Sequence, residues 1–155
     1  MEHVVATNRK ARHEYDILDK IEAGIVLTGT EVKSLRAGRC SIQDGFAVVR
    51  RGEATLKGVH IAPYQQGSIH NTDPIRDRRL LLHRREIRRL TTLLQERGHT
   101  LVPLRVYFKR GYVKVELGLA KGRATYDKRR KLREDDEKRR ADEALKRYSR
   151  GQTVR

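Results

Sequence analysis

From Tyr15 to about position 120, short runs of alternating apolar and polar residues recur between helical and loop stretches, and after them the alternation stops. Tyr15, Ile17 and Ile21 stand between polar neighbours, and Ala23 to Gly29 makes a second β-rich run, so the region reads as two strands. Glu31 to Leu35 reads as a short helix with Thr30 as its N-cap and Ala37-Gly38 as its stop. Phe46 to Val49 and Ala54 to Ile61 flank the turn Arg50-Arg51-Gly52-Glu53, which predicts an antiparallel hairpin. Pro63 to Pro74 holds two prolines, Gly67, Asn71 and Asp73 and reads as a loop, leading into a helix that starts near Ile75 or after His83. The clearest helix is His83 to Arg97: Ile87, Leu90, Leu93 and Leu94 form one stripe, Arg84, Arg85, Arg88 and Arg89 lie largely opposite, and Gly98 fits C′. Two strands follow, in which Leu104, Val106 and Phe108, then Val113, Val115, Leu117 and Leu119, alternate with polar residues across a turn at Gly111.

These elements predict a mainly β fold with flanking helices. An OB-like antiparallel β-barrel of about six strands with two or three α-helices fits best, while the same count permits an α+β sandwich. Residues 1–120 are long enough for one domain with its own core, and residues 121–155 form a separate tail.

That tail is densely charged, and its large aliphatics are only Leu132, Leu145 and Val154, too few and too irregular for a packing stripe. Acid precedes base by four residues at Glu134/Lys138, Asp135/Arg139, Asp136/Arg140, Asp142/Lys146 and Glu143/Arg147. Each such pair supports a helix by about 0.2–0.5 kcal/mol. An isolated helix of this size is marginal in water, so the tail is expected to be disordered when free and a rod about 30 Å long when held by a partner.

A formal charge of +16 and a pI near 10.5 point to a polyanionic partner. Nucleic acid is favoured over an anionic membrane, because no segment joins a basic face to a broad apolar one and Trp is absent. Cys40 is the only cysteine, which excludes an intramolecular disulfide, and no signal-peptide pattern or membrane-length apolar run occurs; the expected location is the cytoplasm.

Enzymatic templates fail. There is no GxxxxGK[ST] loop, no GxGxxG opening a helix and no cysteine pair, and the six histidines lack HxxxH or HxH spacing. No metal, cofactor or small-molecule substrate is expected. Glu22, Glu31 and Asp44 read as structural partners for Lys33, Arg36 and Arg39, and Cys40 as a bystander thiol. Binding features are more distinct. Asn8-Arg9-Lys10-Ala11-Arg12-His13-Glu14-Tyr15 offers phosphate donors and stackable rings, or else is a solubilising lead-in. Gly118 to Arg123 carries two glycines and two cations that suit an RNA backbone, or else is a flexible hinge. Tyr126, ahead of Asp127-Lys128-Arg129, suits stacking on an unpaired base, or else rests on the barrel.

Taken together, NRKARHEY at 8–15, EAGIVLTGTEVKSLRAG at 22–38, the DP…R…RLLL stretch from Asp73 to Leu82, and GLAKGR followed by YDKR at 118–129 resemble the SsrA-binding protein family. The likeness runs nearly the whole chain. It implies an OB-like barrel that binds the tRNA-like domain of transfer-messenger RNA (SsrA RNA), stands in for the missing anticodon arm in the rescue of stalled ribosomes, and catalyses no reaction. By motif, Asn8, Glu22 and Leu81 contact or support the RNA-binding face, with Arg12 and His13 as neighbours. Lys121, Gly122, Arg123, Tyr126, Asp127, Lys128, Arg129 and Arg130 match the tail region that enters the vacant messenger channel against small-subunit ribosomal RNA. The tRNA-delivering elongation factor is an implied partner through the RNA complex. The resemblance places Tyr126 where His or Tyr occurs, and His83 where Asn would be the stronger N-cap. A general OB-fold RNA chaperone or ribosome-associated protein, and an RNA-processing enzyme using Glu22 or Glu31 with His13, are the rival readings.

Overall fold

Alternation along the strands is resolved into a closed barrel in the computed structural model, which describes residues 2–64, 71–122 and 137–145. Among the described residues up to Gly122, nine strands and three helices occur in the order β1 (Glu2–Thr7), α1 (Arg9–Glu14), β2 (Tyr15–Ile25), α2 (Gly29–Arg36), β3 (Cys40–Ser41), β4 (Phe46–Arg50), β5 (Glu53–Lys57), β6 (His60–Ile61), β7 (Arg78–Leu81), α3 (Arg84–Leu94), β8 (His99–Lys109) and β9 (Tyr112–Gly122). Residues 137–145 are also helical. The chain divides into two units, Met1–Gly122 and Arg123–Arg155.

Six strands close a ring, β8-β4-β5-β7-β2-β9, with β9 returning to β8. All pairings are antiparallel, and closure decides for a barrel over an open sandwich. β8 is the pivot. One of its edges pairs with β9 from His99 to Lys109; the other meets β4 at Leu101 and then β1 from Arg105 to Lys109. Inside lie Leu56, Leu101, Val115 and Leu117, with Leu35 of α2 and Leu90 of α3 joining the same cluster. The apolar stripe of α3 therefore seals the barrel, as its spacing predicts.

Several sequence expectations are corrected. Tyr15 to Ile25 is one strand, not two, because the Ile17/Asp19 bulge breaks the alternation without breaking the pairing to β9. The N-cap of α2 is Thr28 rather than Thr30. Thr28 Oγ1 accepts from the Glu31 N–H at 3.3 Å while Glu31 Oε1 accepts from the Thr28 N–H at 2.9 Å, a complete capping box. The run Ala54 to Ile61 splits at Gly58, whose φ is +72° and where a Cβ would meet the Asp44 carbonyl oxygen at 2.7 Å. Residues 78–81 are strand β7 rather than helix, and α3 is shorter than expected, ending at C-cap Gln95. Gly98 instead turns the chain into β8 with φ +85°. The proposed hinge is strand: Gly118 sits opposite Val102 and Lys20, and Gly122 opposite Tyr15. The block NRKARHEY, read as a lead-in, contains helix α1.

Both hairpin turns have two positive φ values, 51° and 75° at Arg51-Gly52 and 51° and 81° at Arg110-Gly111. This is the type I′ pattern that matches strand twist.

Candidate nucleic-acid interface

One wall of the barrel sets Glu22 among a row of charged residues. On β2, Lys20, Glu22 and Gly24 face outward, opposite Gly118, Glu116 and Lys114 of β9; Glu116 and Lys114 in turn face Arg105 and Tyr107 of β8. A second row runs from Leu81 of β7 through Gly24, Lys114 and Tyr107 to Val4 of β1. Leu81 is 55% exposed and leans over Gly24, its Cβ lying 3.2 Å from where a side chain on that glycine would begin, so the missing Cβ is what lets Leu81 sit there.

Register places Glu22 directly opposite Glu116, an unfavourable pair of like charges unless each is compensated. Both are. Arg105 donates from Nε to Glu116 at 3.0 Å and from Nη1 to Glu2 at 2.9 Å, and its guanidinium stacks over the Tyr107 ring at 4.3 Å. The Tyr107 hydroxyl donates to Glu22, which also receives Lys109 Nζ at 3.3 Å. The Tyr107 bond, opposed by partial burial and aided by Lys109, holds the Glu22 carboxyl below its usual range. Burial and then the Glu22 carboxylate push the Tyr107 hydroxyl up, so it stays a donor at any physiological pH. The result is an oriented carboxylate acceptor on a wall that also presents Lys109 and Lys114.

Helix α1 covers the other end of the same wall, with Ala11 packed against Val102, Leu104 and Ala120 beside Tyr15 and Ile17. Its seat is Asn8. Asn8 Oδ1 accepts from the Ala11 N–H at 3.0 Å, its Nδ2 donates to Pro103 O at 2.9 Å and Ile42 O at 3.3 Å, and its own N–H donates to Leu104 O at 2.8 Å. Asn8 is 1% exposed with both side-chain polar atoms and its N–H occupied, so it fixes the helix. Arg12 and His13, in the last turn of α1, are exposed.

Sequence reasoning found Glu22 and Leu81, which share this wall, Arg12 and His13, which are exposed on the helix at its other end, and Asn8, which lies beneath that helix. It missed Arg105, Tyr107, Lys109, Lys114 and Glu116. Their signal was the alternation itself, which set Tyr107 between two cations on the outer side of β8, where Arg105 stacks over its ring and its side chain is buried. Lys121 and Gly122 belong to β9, not to a tail, while Arg123, Tyr126, Asp127, Lys128, Arg129 and Arg130 lie outside the described residues.

Glu31 and its partners serve the fold. The carboxylate is buried, and it takes Arg78 Nε at 2.7 Å, two bonds from Arg76 and the Thr28 N–H. Its partners are therefore not Lys33, Arg36 or Arg39, and no lone pair is left for a proton-transfer role. Asp44 pairs with Lys10 at 3.4 Å. Burial pushes the Cys40 thiol up to about 11, which fits an unreactive side chain. Among the described residues no cluster of His, Cys, Asp or Glu has metal-binding geometry, and no helix is long and apolar enough to cross a membrane.

A closed, strongly basic barrel with a charged wall ordered around a buried tyrosine defines an RNA-binding protein of OB-like architecture. The family model described as SmpB protein matches residues 5–147, and the chain belongs to that family. It is 59% identical over 143 residues to an SsrA-binding protein of Acetivibrio thermocellus, covering 92% of this chain and 93% of that one. The SsrA-binding protein of Enterococcus hirae is 53% identical over 147 residues, covering 95% and 96%. A solved chain from a study titled "tmRNA-SmpB: a journey to the center of the bacterial ribosome" superposes with TM-score 0.65 at 55% identity, covering 76% of this chain and 82% of that one.

Proposed function

We propose that this chain binds transfer-messenger RNA and carries it to stalled bacterial ribosomes, in the cytoplasm, without catalysing a reaction. The barrel holds the tRNA-like domain of that RNA and fills the place of an anticodon arm. The tail, with Lys121 and Gly122 at its root and Arg123, Tyr126, Asp127, Lys128, Arg129 and Arg130 beyond, engages the empty messenger channel.

The observation that carries this reading is the wall around Glu22. A free carboxylate would repel RNA, but one locked by Tyr107 and Lys109 is an aimed acceptor for a base amino group or a 2′-hydroxyl, the contacts by which folded RNA is distinguished from a bare run of phosphates. The exposed Leu81 over Gly24 gives an apolar surface for a ribose or base face. Arg12 and His13 on α1 add donors for the backbone, and Asn8 supports them from below. Because Glu31 is saturated, the RNA-processing alternative loses one of its two candidate carboxylates.

The test is a titration of labelled transfer-messenger RNA at physiological salt against excess ordinary tRNA. The wild-type complex should survive the competitor, and Glu22→Gln should weaken it by at least tenfold, about 1.4 kcal/mol. Complete displacement by tRNA would instead identify a general RNA-binding barrel.

A further inference from the structure

Helix α3 carries a feature that neither the wall nor the tail accounts for. Its inner side enters the core through Leu90 and Leu94, while Arg84, Arg85, Arg88 and Arg89 are all exposed. Arg89 bonds Asp19 of β2. Among the described residues, Arg84, Arg85 and Arg88 have no carboxylate partner.

Two local rules are broken at once, and the one nearby acid does not offset them. Arg84 and Arg88, like Arg85 and Arg89, stand four residues apart, where like charges oppose the helix by about 0.2–0.5 kcal/mol per pair. The cations occupy the N-terminal half, against the positive end of the helix dipole, while the last turn holds no basic residue. The one acid of the first turn, Glu86, is engaged elsewhere, its Oε1 accepting the His83 N–H at 3.0 Å. Packing explains the Leu stripe, but no carboxylate among the described residues compensates Arg84, Arg85 or Arg88. Violations of this kind concentrate at functional sites.

We propose that Arg84, Arg85 and Arg88 form an RNA phosphate-binding stripe, a contact surface additional to the Glu22 wall and the tail. Spacing favours it: four residues of helix advance about 6 Å, so the three side chains offer a short linear array of guanidinium donors to a sugar–phosphate backbone. Bound phosphates would reverse the sign of each unfavourable term. The proposal rests on the functional reading above only for the identity of the RNA, which is either transfer-messenger RNA or ribosomal RNA.

The experiment uses the full chain carrying Arg84→Gln, Arg85→Gln and Arg88→Gln, with a matching triple Lys variant, and measures binding against salt in two arms. One arm uses purified transfer-messenger RNA, the other isolated small ribosomal subunits. In the arm that holds the true ligand, the slope of log affinity against log salt should become shallower by about 2–3 for the Gln variant and stay near wild type for the Lys variant. The melting temperature of the free Gln variant should be unchanged or higher. Unchanged slopes in both arms would overturn the proposal, as would a lowered melting temperature, which would show that the arginines serve the fold. Failure of the wild type to prefer transfer-messenger RNA over tRNA would count against the functional reading alone, because the stripe is measured by the difference between variants on one RNA.

Discussion

Arg78 is completely buried, and its guanidinium is satisfied by Glu31 at 2.7 Å, Val59 O at 2.7 Å, Pro74 O at 3.0 Å and Arg76 O at 3.2 Å. A charge in that position is tolerated only while its counter-charge remains. Glu31→Gln keeps the shape of the side chain but removes the charge, and should destabilise the protein by about 3–5 kcal/mol in urea unfolding. Arg76→Gln should cost less, since Arg76 is 28% exposed and water can replace part of its role. The pH dependence follows in sign. Burial opposes ionisation of Glu31, but the bonds from Arg76, Thr28 and Arg78 prevail and its carboxyl titrates below its usual range. The associated stability is fully present above the unfolded carboxyl value of about 4.3 and is lost as pH falls through the lower folded value. Stability measured from pH 6 down to 3 should fall more for the wild type than for Glu31→Gln. This triad could not be read from sequence, because its members are 45 and 47 residues apart and nearer cations competed for Glu31.

At the scale of elements, legibility followed length and regularity. The long stripe of α3 and the alternation in β8 and β9 were visible because each repeats several times. β7 was not, because its four residues Arg78 to Leu81 include a buried arginine where the pattern leads one to expect an aliphatic. β1 stayed hidden because its burial is only partial, and α1 because six residues rich in cations have no stripe to show. In the candidate site, Glu22 and Leu81 came from motif likeness, whereas the Tyr107–Glu22–Lys109 contact depends on register across β2, β9 and β8 and so required the fold. The hairpin turns were placed correctly, and they invite a test. Arg51 and Arg110 occupy positive-φ positions that Asn fills more readily, so Arg51→Asn and Arg110→Asn should each raise stability by about 0.5–1 kcal/mol, read as a higher melting temperature.

For the whole molecule, the boundary between Gly122 and Arg123 separates two kinds of sequence, one with a core and one almost without large aliphatics. The acid-before-base ladder of the second unit predicts a helix, and residues 137–145 are helical. If the barrel holds the RNA and the second unit probes the ribosome, a chain ending at Gly122 should bind transfer-messenger RNA with nearly unchanged affinity yet support no peptide tagging on stalled ribosomes. Equilibrium binding and a tagging assay measure the two separately. A large loss of affinity for the free RNA would show that the division of labour is wrong.

The position of β8 as partner to β1, β4 and β9 also bears on how the protein is made. Glu2 pairs with Lys109 and Thr7 with Arg105, so β1 leaves the ribosome well ahead of β8 and waits for nearly the entire domain before finding its neighbour. The Asn8 amide waits as well, since one of its acceptors is Pro103 O. Contacts this distant in sequence raise the entropic cost of reaching the folding transition state. During synthesis, therefore, the N-terminal segment and the β4–β5 hairpin form a nascent chain with unpaired strand edges, and the barrel closes in a late step once β8 has cleared the exit tunnel.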